Sequence, residues 1–338
     1  MFFLTITTFV YFAVFCKFEK LSKNEKEYII IDNDGGSDDA MAIMMTIYEL
    51  KKSNVELLGL TTVSGNTNID NVITNNALTL QILNKSQNFP LFKGSTDSLL
   101  TGSLTDGHFG YDGLSNATFY YDRPMINLID KKAAIALIEL VKKFPKKVSL
   151  LCLGPLTNIA LAFSLESKFF EYTKQLYILG GNIEAEGSTT AVSEFNFHFD
   201  PEAAYIVLKN AVCPITIIPW ETLTKHSFTW DKYDELSNIK TRNGIYFKRI
   251  TKILSDKRVR NRTVSGFGVG DVLLTAAFFN PESVTETKVW PATVELNGQF
   301  TRGQLVADKR YYFQYGIKFV TNMNASLIFA KLKDMLLS

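Results

Sequence analysis

Residues 28–40 read YIIIDNDGGSDDA and contain the strongest structural signal in the chain. The apolar run Tyr28–Ile31 is rich in β-branched residues, which is typical of a buried strand. Two glycines then allow a tight turn, and Ser37 or Asp38 can cap a helix that begins near Asp39. The stretch therefore predicts a strand, a short loop and a helix, which is the basic unit of an α/β fold.

The loop after this strand carries four aspartates within eight residues, namely Asp32, Asp34, Asp38 and Asp39. One or two acids at a helix start are common because the helix dipole favours them. Four carboxylates at the end of a buried strand repel one another and need a counter-charge, which a divalent cation bound through oxygen supplies. Open α/β sheets bind ligands at this end of their strands. The cluster therefore predicts a metal site, with a purely structural turn as the alternative.

Three known motifs with similar residues can be compared with this loop. A dinucleotide-binding loop needs G-x-G-x-x-G, which is absent. An EF-hand needs glycine at the sixth loop position and an acid at the twelfth, where this chain has Ser37 and Ile43. An aspartyl phosphatase with D-x-D-x-T/V would match Asp32 and Asp34, but Gly36 occupies the place of Thr or Val. A metal-dependent phosphohydrolase is therefore the best alternative enzyme.

Strand and helix patterns alternate along the rest of the chain. Further apolar, β-branched runs stand at Leu57–Val63, Val148–Leu153, Leu176–Leu179 and Ile215–Ile218. Helical patterns stand at Asp39–Lys51, Asn71–Leu83, Ala133–Lys142 and Pro201–Lys209. We predict a single α/β domain with a mostly parallel central sheet and helices on both faces. The more polar stretch Thr224–Val269 is expected to be a helical excursion over the site.

The chain begins with the uncharged, apolar stretch MFFLTITTFVYFAVFC at residues 1–16. A membrane helix needs about 20 residues, so no stable membrane span is expected, and the stretch fits a cleaved secretory signal peptide. A retained anchor is the alternative. Residues 17–27 are charged and are expected to form a flexible lead-in to a domain at 28–338. Export would also permit glycans on the Asn-x-Ser/Thr sequons at Asn84, Asn116, Asn261 and Asn324.

The composition of the 338 residues is that of a folded globular protein, with 46% apolar and 21% charged residues. Lys and Arg number 36 against 34 Asp and Glu, so the near-zero net charge predicts no nucleic-acid partner. Three cysteines are too few for a disulfide scaffold or an all-thiolate zinc site. After cleavage only Cys152 and Cys213 would remain. We predict two buried free thiols, with a disulfide between them as the alternative.

Several segments resemble those of one enzyme family. The run Asp32–Ala40 is similar to the D-x-D-P-G-x-D-D-A signature of the inosine/uridine-type nucleoside hydrolases. Further segments follow in that family's order: Thr61–Asn66, Leu153–Ala160, Leu179–Asn182, Glu194–Ala204 and Asp271. The resemblance implies a single α/β domain that hydrolyses the N-glycosidic bond of ribonucleosides to free base and ribose with bound Ca²⁺. It also implies that the protein binds a small ribonucleoside and that it assembles as a homodimer or homotetramer.

The resemblance also assigns roles to individual residues of the metal site. Asp34 would bind calcium and act as general base toward water, and Asp39 would be the main carboxylate ligand. The backbone carbonyl of Leu153 and the side chain of Asp271 would complete the ligand set. Asp32 would support these ligands from behind.

A second group of residues would bind the sugar. By resemblance, Asp38, Asn66 and Asn196 would hold ribose hydroxyls or orient the water, and Glu194 would reach the sugar's far hydroxyl. The carboxylates suit a transition state that resembles an oxocarbenium ion, since they stabilise positive charge on the sugar. Taken alone, the alternation in Glu194–Asp200 is typical of a half-exposed strand.

The chain departs from the family pattern at three positions. Gly35 stands where the family usually has Pro, and we expect the turn to survive. Ser188 stands where many members have Asn beside the sugar, and it remains a substrate-binding candidate. Gly270 precedes Asp271 where members carry a proton-donating His or a stacking aromatic residue. Gly270 and Ser188 leave open a relative that binds nucleosides without turnover.

The leaving base must therefore be activated by another group. One option is a proton from His108 or His226. The other is aromatic stacking, which raises the proton affinity of the base, from candidates Phe109, Tyr111, Trp220, Tyr246, Phe247 and Phe267. On these grounds we favour purine nucleosides such as inosine as substrates.

Overall fold

The computed structural model describes residues 26–100, 105, 107–261, 266–310 and 316–338. The side chains of residues 257–261 are also outside this description. The predicted signal peptide at 1–16 and nearly all of the lead-in at 17–27 lie outside the described residues, so those expectations stay predictions. Among the described helices, none combines the length and the apolar character that a membrane crossing requires.

Most strands of the described residues belong to one nine-stranded sheet. The strands are β1 Glu27–Asn33, β2 Val55–Thr62, β3 Leu91–Lys93, β4 Leu128–Ile129, β5 Val148–Cys152, β6 Gln175–Leu179, β7 Ile215–Ile218, β8 Val284–Trp290, β9 Ala292–Val294, β10 Leu305–Ala307 and β11 Ile317–Met323. The sheet has the order β4-β3-β2-β1-β5-β6-β7-β11-β8. Its neighbouring strands run parallel except β8, which pairs antiparallel with β11 at the edge. Strands β9 and β10 form a separate antiparallel pair.

Helices connect these strands and cover both faces of the sheet. They are α1 Ser37–Leu50, α2 Ile69–Ile82, α3 Ala133–Lys143, α4 Thr157–Leu165, α5 Phe169–Tyr172, α6 Phe195–Phe199, α7 Pro201–Asn210, α8 Trp220–Lys225, α9 Trp230–Ser237, α10 Arg242–Ile250, α11 Lys252–Asn261, α12 Gly270–Phe279 and α13 Ala325–Leu337.

The central strand β1 shows how the sheet divides the core in two. Ile29 and Ile31 belong to the apolar core that includes α1, α2, α10, α12 and α13. Ile30 belongs to the opposite core, which includes α3, α4 and α7. Successive side chains of a strand point to opposite faces, so a strand buried on both sides must be apolar at every position. The fold is therefore one α/β domain with a mostly parallel sheet, as predicted.

Most sequence-based expectations about secondary structure are confirmed. The five predicted strands and four predicted helices all form, with ends displaced by a few residues. The excursion predicted at Thr224–Val269 contains the helices α9, α10 and α11. The half-exposed strand that the alternation in Glu194–Asp200 suggests is wrong, because Phe195–Phe199 form a helix. Cys152 and Cys213 are buried free thiols, as predicted.

Candidate active site

The carboxyl ends of the central strands bring several loops to one point. The backbone N–H of Leu153, just after β5, donates to the carbonyl of Asp32 at the end of β1 (2.8 Å). Glycines allow the loops to approach closely: a Cβ on Gly65 would overlap the Asp34 carboxylate, and one on Gly154 would lie 2.9 Å from Asp34 Cβ. The loops after β1, β2 and β5 therefore converge on Asp34.

Gly35 makes the turn between β1 and α1 in a conformation that few other residues adopt. Its φ is +73°, which lies in the left-handed region that favours glycine. A Cβ there would come within 2.8 Å of the Val72 backbone. Proline fixes φ near −65°, so a proline at position 35 could not form this turn.

Three carboxylates form the acidic cluster of the site. Ligand-type oxygens of Asp38, Asp39 and Asp271 lie within 4.8 Å of one another. Asp38 and Asp39 stand in the first turn of α1 and Asp271 in the first turn of α12, where the helix dipoles favour negative charge. Asp39 also holds the loop, because the backbone N–H groups of Gly36 (2.8 Å) and Asp34 (3.2 Å) donate to its carboxylate.

Asp34 lies beside this cluster and is buried. Its Oδ2 accepts a hydrogen bond from the backbone N–H of Asn66 (2.7 Å), while its Oδ1 has no partner among the described residues. Burial raises the pKa of Asp34 to about 6. Burial, and then the neighbouring aspartates, raise the pKa values of Asp39 and Asp271 well above the ordinary range.

A hard divalent cation fits these residues. Asp34 Oδ1 and Asp271 Oδ1 are both buried without a hydrogen-bond partner in the described part of the chain. Buried polar atoms normally have partners, and closely spaced buried carboxylates normally have a counter-charge. Calcium prefers carboxylate and carbonyl oxygens, which are the atoms that meet here. The residues present therefore suit Ca²⁺, and they include Asp34, Asp39 and Asp271 of the predicted ligand set.

The predicted carbonyl ligand lies in the same place. Asn196 Nδ2 donates to the carbonyl oxygens of Leu153 (2.7 Å) and Leu179 (3.1 Å). A carbonyl oxygen has two lone pairs, so the bond from Asn196 leaves Leu153 with a second position for a cation. Asn196 thus orients the ends of β5 and β6 at the site.

Asp32 holds neighbouring elements of the site together through hydrogen bonds. Its Oδ1 accepts hydrogen bonds from Thr61 Oγ1 (2.5 Å) and Asn158 Nδ2 (2.8 Å), which links β1 to β2 and α4. Burial raises the pKa of Asp32 to about 7. Asp32 does not line the cavity described below, in keeping with the supporting role implied by the resemblance.

Glu194 and Ser188 line the same cavity as Asp38 and Asp271 of the acidic cluster. Glu194 Oε2 accepts hydrogen bonds from the backbone N–H groups of Gly181 (2.9 Å) and Phe197 (3.2 Å), so this carboxylate also caps α6. Burial raises the pKa of Glu194 to about 7. Ser188 Oγ accepts a hydrogen bond from the backbone N–H of Phe195 (2.9 Å), which fixes the loop in front of α6.

A cavity of about 410 Å³ opens over these residues. The polar end of the cavity, around the acidic cluster, contains Asp38, Asn66, Glu194, Asn196 and Asp271. The rest of the lining is mostly apolar and aromatic: Phe109, Ile218, Pro219, Trp220, Leu223, Trp230, Leu254 and Phe267. A ligand with one polyhydroxylated part and one flat, apolar part matches this division.

The sequence-based candidates for the leaving base divide into two groups. His108, Phe109, Trp220 and Phe267 line the cavity, as do Ser188 and the predicted sugar-binding residues. Three aromatic candidates are wrong: Tyr246 and Phe247 are fully buried in the core, and Tyr111 is 76% exposed and is not among the lining residues.

His226 is also wrong as a candidate acid. Its Nε2 accepts the backbone N–H of Met323 (2.9 Å), and its Nδ1 lies 2.7 Å from the carbonyl oxygen of Thr222. The same Nε2 also lies 3.0 Å from Asn322 Oδ1, so both ring nitrogens are engaged within the protein. His226 is buried, joins α8 to β11, and is not among the residues that line the cavity.

Several lining residues were not identified from the sequence. Leu223 and Trp230 come from α8 and α9, Leu254 comes from α11, and Thr189 and Ser227 come from loops. For Trp230, Leu254 and Ser227 the available signal was the predicted helical excursion at 224–269, which did not indicate which side chains enter the cavity. Leu223 and Thr189 lie outside that range.

Comparisons with known proteins agree with this geometry. Residues 29–330 match the model of the family described as inosine-uridine preferring nucleoside hydrolase. A probable uridine nucleosidase 2 of Oryza sativa subsp. japonica is 35% identical over 265 residues, 78% of this chain and 77% of that protein. An inosine-uridine preferring nucleoside hydrolase of Crithidia fasciculata is 32% identical over 285 residues, 83% and 88% of the two chains. A solved inosine-guanosine nucleoside hydrolase superposes with a TM-score of 0.80 at 26% identity, covering 92% of this chain and 99% of that one.

Proposed function

This chain belongs to the inosine-uridine preferring nucleoside hydrolase family, and on that premise we propose that it cleaves ribonucleosides with a calcium ion held by its acidic cluster. Hydrolysis of the N-glycosidic bond of ribonucleosides is the activity of the family. To this family activity the proposal adds the identity of the cation and the preferred base of the substrate. The observation that carries the proposal is the gathering of Asp38, Asp39 and Asp271 within 4.8 Å, in a cavity that no described lysine or arginine lines.

The proposed calcium ligands are Asp34, Asp39, Asp271 and the Leu153 carbonyl. The unpartnered oxygens of Asp34 and Asp271 support this assignment. An oxygen of Asp38 also lies within 4.8 Å of those of Asp39 and Asp271, so Asp38 would face the same cation or the sugar bound next to it. When bound, calcium would neutralise the carboxylates, polarise a water molecule and hold sugar hydroxyls.

Asp34 is the proposed general base. One of its oxygens is fixed by the Asn66 N–H and the other has no described partner, so the second oxygen can take a proton from water. A base that works near neutral pH should have a pKa near that range, and the pKa of Asp34 is raised to about 6. The water oxygen forms a bond to the anomeric carbon as the bond to the base nitrogen breaks. The base leaves with the electron pair and then takes up a proton.

The remaining polar residues would bind and polarise the sugar. Asn66, Asn196 and Glu194 line the polar end of the cavity, where they can hold the ribose hydroxyls. Asp38 and Glu194 are carboxylates beside that position, so they would stabilise the positive charge that develops on the ribose ring. Hydrogen bonds that fix the side chains in advance, such as those to Glu194, make this stabilisation effective.

For the base we propose a preference for purine nucleosides such as inosine. The support is the aromatic part of the cavity lining, which includes Phe109, Trp220, Trp230 and Phe267, because a two-ring base gains more contact with aromatic side chains than a one-ring base. His108 lines the same cavity and is the candidate proton donor. Uridine is the second candidate substrate, because the Oryza sativa relative is named a probable uridine nucleosidase.

A substrate panel tests the proposal. The purified protein is incubated with inosine, adenosine, guanosine and uridine, and free base and reducing sugar are measured. We expect equal amounts of base and ribose without added phosphate, with higher kcat/KM for the purine nucleosides. A higher kcat/KM for uridine would refute the purine preference alone. Tight nucleoside binding without turnover, or activity only on phosphate esters, would refute the proposed reaction.

We also propose that the protein is exported and forms a homodimer or homotetramer. The apolar residues 1–16 support export. Asn84 and Asn324 are exposed sequon residues whose Oδ1 atoms accept hydrogen bonds from Arg242 and Leu327, while a glycan would attach through Nδ2. N-terminal sequencing and glycosidase treatment of the secreted protein test export, and light scattering tests the oligomeric state.

A further inference from the structure

Gly270 lies against a leucine side chain that comes from a different element. A Cβ placed on Gly270 would stand 2.6 Å from Leu223 Cδ1, and one on Gly268 would stand 3.3 Å from Leu223 Cδ2. Leu223 belongs to α8, whereas Gly270 is the first residue of α12. The leucine therefore rests on the bare backbone of residues 268–270, and it occupies the space that a side chain at position 270 would need.

This contact lies beside the acidic cluster. The same Cβ position on Gly270 is 3.5 Å from Asp38 Oδ2 and 3.2 Å from Leu179 Cδ2. Asp38 and Leu223 both line the cavity. Leu223 is therefore an apolar side chain within reach of the base of a nucleoside whose ribose lies at the carboxylates.

We propose that Leu223 is a specificity-determining residue that contacts the leaving base and replaces the missing side chain at position 270. This inference rests on the proposed function, because it assumes that nucleosides bind in this cavity. Leu223 presents carbon atoms to the base and has no proton to donate. The base is thus held by an apolar surface at this position, and a side chain at position 270 would have to displace the end of Leu223.

A contact with the base and a purely structural role for Leu223 predict different results for ligands with and without a base. If Leu223 contacts the base, its truncation should weaken ligands that carry a base and leave a base-free sugar mimic unaffected. If Leu223 only stabilises α8 and α12, its truncation should affect both kinds of ligand equally. A base-free iminoribitol, which resembles the cationic ribose, is the probe for the sugar end.

The first test compares Leu223→Ala with wild type. We expect kcat/KM for inosine and uridine to fall about tenfold, because the removed methyl groups lie against the base, while Kd for 1,4-dideoxy-1,4-iminoribitol stays within about twofold. Leu137→Ala is the control: Leu137 is fully buried in the core on the other face of the sheet, so its loss should lower stability without changing either ligand constant. Unchanged kcat/KM in Leu223→Ala, or an equal loss of iminoribitol binding, would overturn the proposal.

The second test approaches the same contact from Gly270. In the wild-type background Gly270→Ala should lower kcat/KM more than tenfold, since its Cβ displaces Leu223. In the Leu223→Ala background the same substitution should cost less than about threefold, because the space is free. An equal cost in both backgrounds would overturn the proposal. If wild type hydrolyses no nucleoside, the proposed function has failed instead, and calorimetric binding of inosine to the same variants then tests the Leu223 contact alone.

Discussion

The backbone N–H of Asn66 donates a 2.7 Å hydrogen bond to Asp34 Oδ2, which joins the loop after β2 to the loop after β1. The bond depends on Gly65, since a Cβ on that residue would overlap the same carboxylate. Asp34 is thereby fixed through one oxygen, and its other oxygen has no described partner. A fixed, buried carboxylate beside three others is the arrangement from which the proposed catalysis follows.

Replacement of the proposed general base should remove most of the activity. We expect Asp34→Asn to lower kcat by about a hundredfold to ten-thousandfold, because an amide cannot accept the proton of the attacking water. The measurement is steady-state release of hypoxanthine from inosine. The control is Asp70→Asn, which changes an exposed aspartate of α2 that forms an ion pair with Lys93. This substitution should leave kcat unchanged. Near-wild-type activity of Asp34→Asn would refute the assignment.

The turn at Gly35 should tolerate substitution poorly. Gly35 and Gly107 have similar φ values, +73° and +65°, but a Cβ would lie 2.8 Å from the Val72 backbone at Gly35, whereas at Gly107 it would meet no atom of the described residues within 4 Å. We expect Gly107→Ala to cost about 1 kcal/mol from its backbone conformation alone. Gly35→Ala should lower the free energy of unfolding by about 2–3 kcal/mol more, measured by urea denaturation. Equal costs would show that the close approach to Val72 has no energetic effect.

The metal-free protein should become less stable as the pH rises. Burial raises the pKa values of Asp32 and Glu194 to about 7, above their unfolded values near 4. Both groups therefore take up protons on folding, so their contribution to stability is fully present below about pH 4 and is lost as the pH rises through about 7. We expect the Tm of the chelated protein to be several degrees lower at pH 8 than at pH 5.5, by calorimetry. Glu194→Gln should reduce this difference, and a higher Tm at pH 8 would contradict the sign.

The sugar end of the cavity should require both hydroxyls of the ribose diol. Asn66, Asn196 and Glu194 line that end beside the proposed cation site, so removal of one hydroxyl leaves buried polar groups without a partner. We expect kcat/KM for 2′-deoxyinosine to be at least about a hundredfold below that for inosine. Parallel assays of base release measure this ratio. Similar values for the two nucleosides would contradict the proposed sugar orientation.

The sequence predicted the central strands well because a strand that is buried on both faces is a continuous run of apolar residues. Ile215–Ile218 is buried at every position and is therefore continuously apolar. The edge strand Val284–Trp290 escaped prediction because most of its residues are exposed and its composition is polar. The alternation in Phe195–Phe199 suggested a strand, yet Glu194 caps a helix there by accepting the Phe197 N–H, and that cap outweighs the period-two pattern.

The same reasoning explains which site residues could be found. The aspartates of the first loop lie close together in sequence and belong to a recognisable motif, so their chemistry could be read directly. Leu223 belongs to no motif, and its contact with Gly270 joins residues from two different helices. His226 was a candidate acid because nothing in the sequence reveals that its ring is buried and accepts a hydrogen bond from the Met323 N–H.

Calcium titration of chelated protein tests the central claim most directly. Binding is followed by calorimetry for wild type and for Asp271→Asn, and inosine hydrolysis is measured in the same samples. We expect one calcium ion per chain, weaker binding in Asp271→Asn, and hydrolysis that is absent in the chelated wild type and returns with the bound ion. Full activity in a sample shown to be free of metal, or no saturable calcium binding by wild type, would contradict the account.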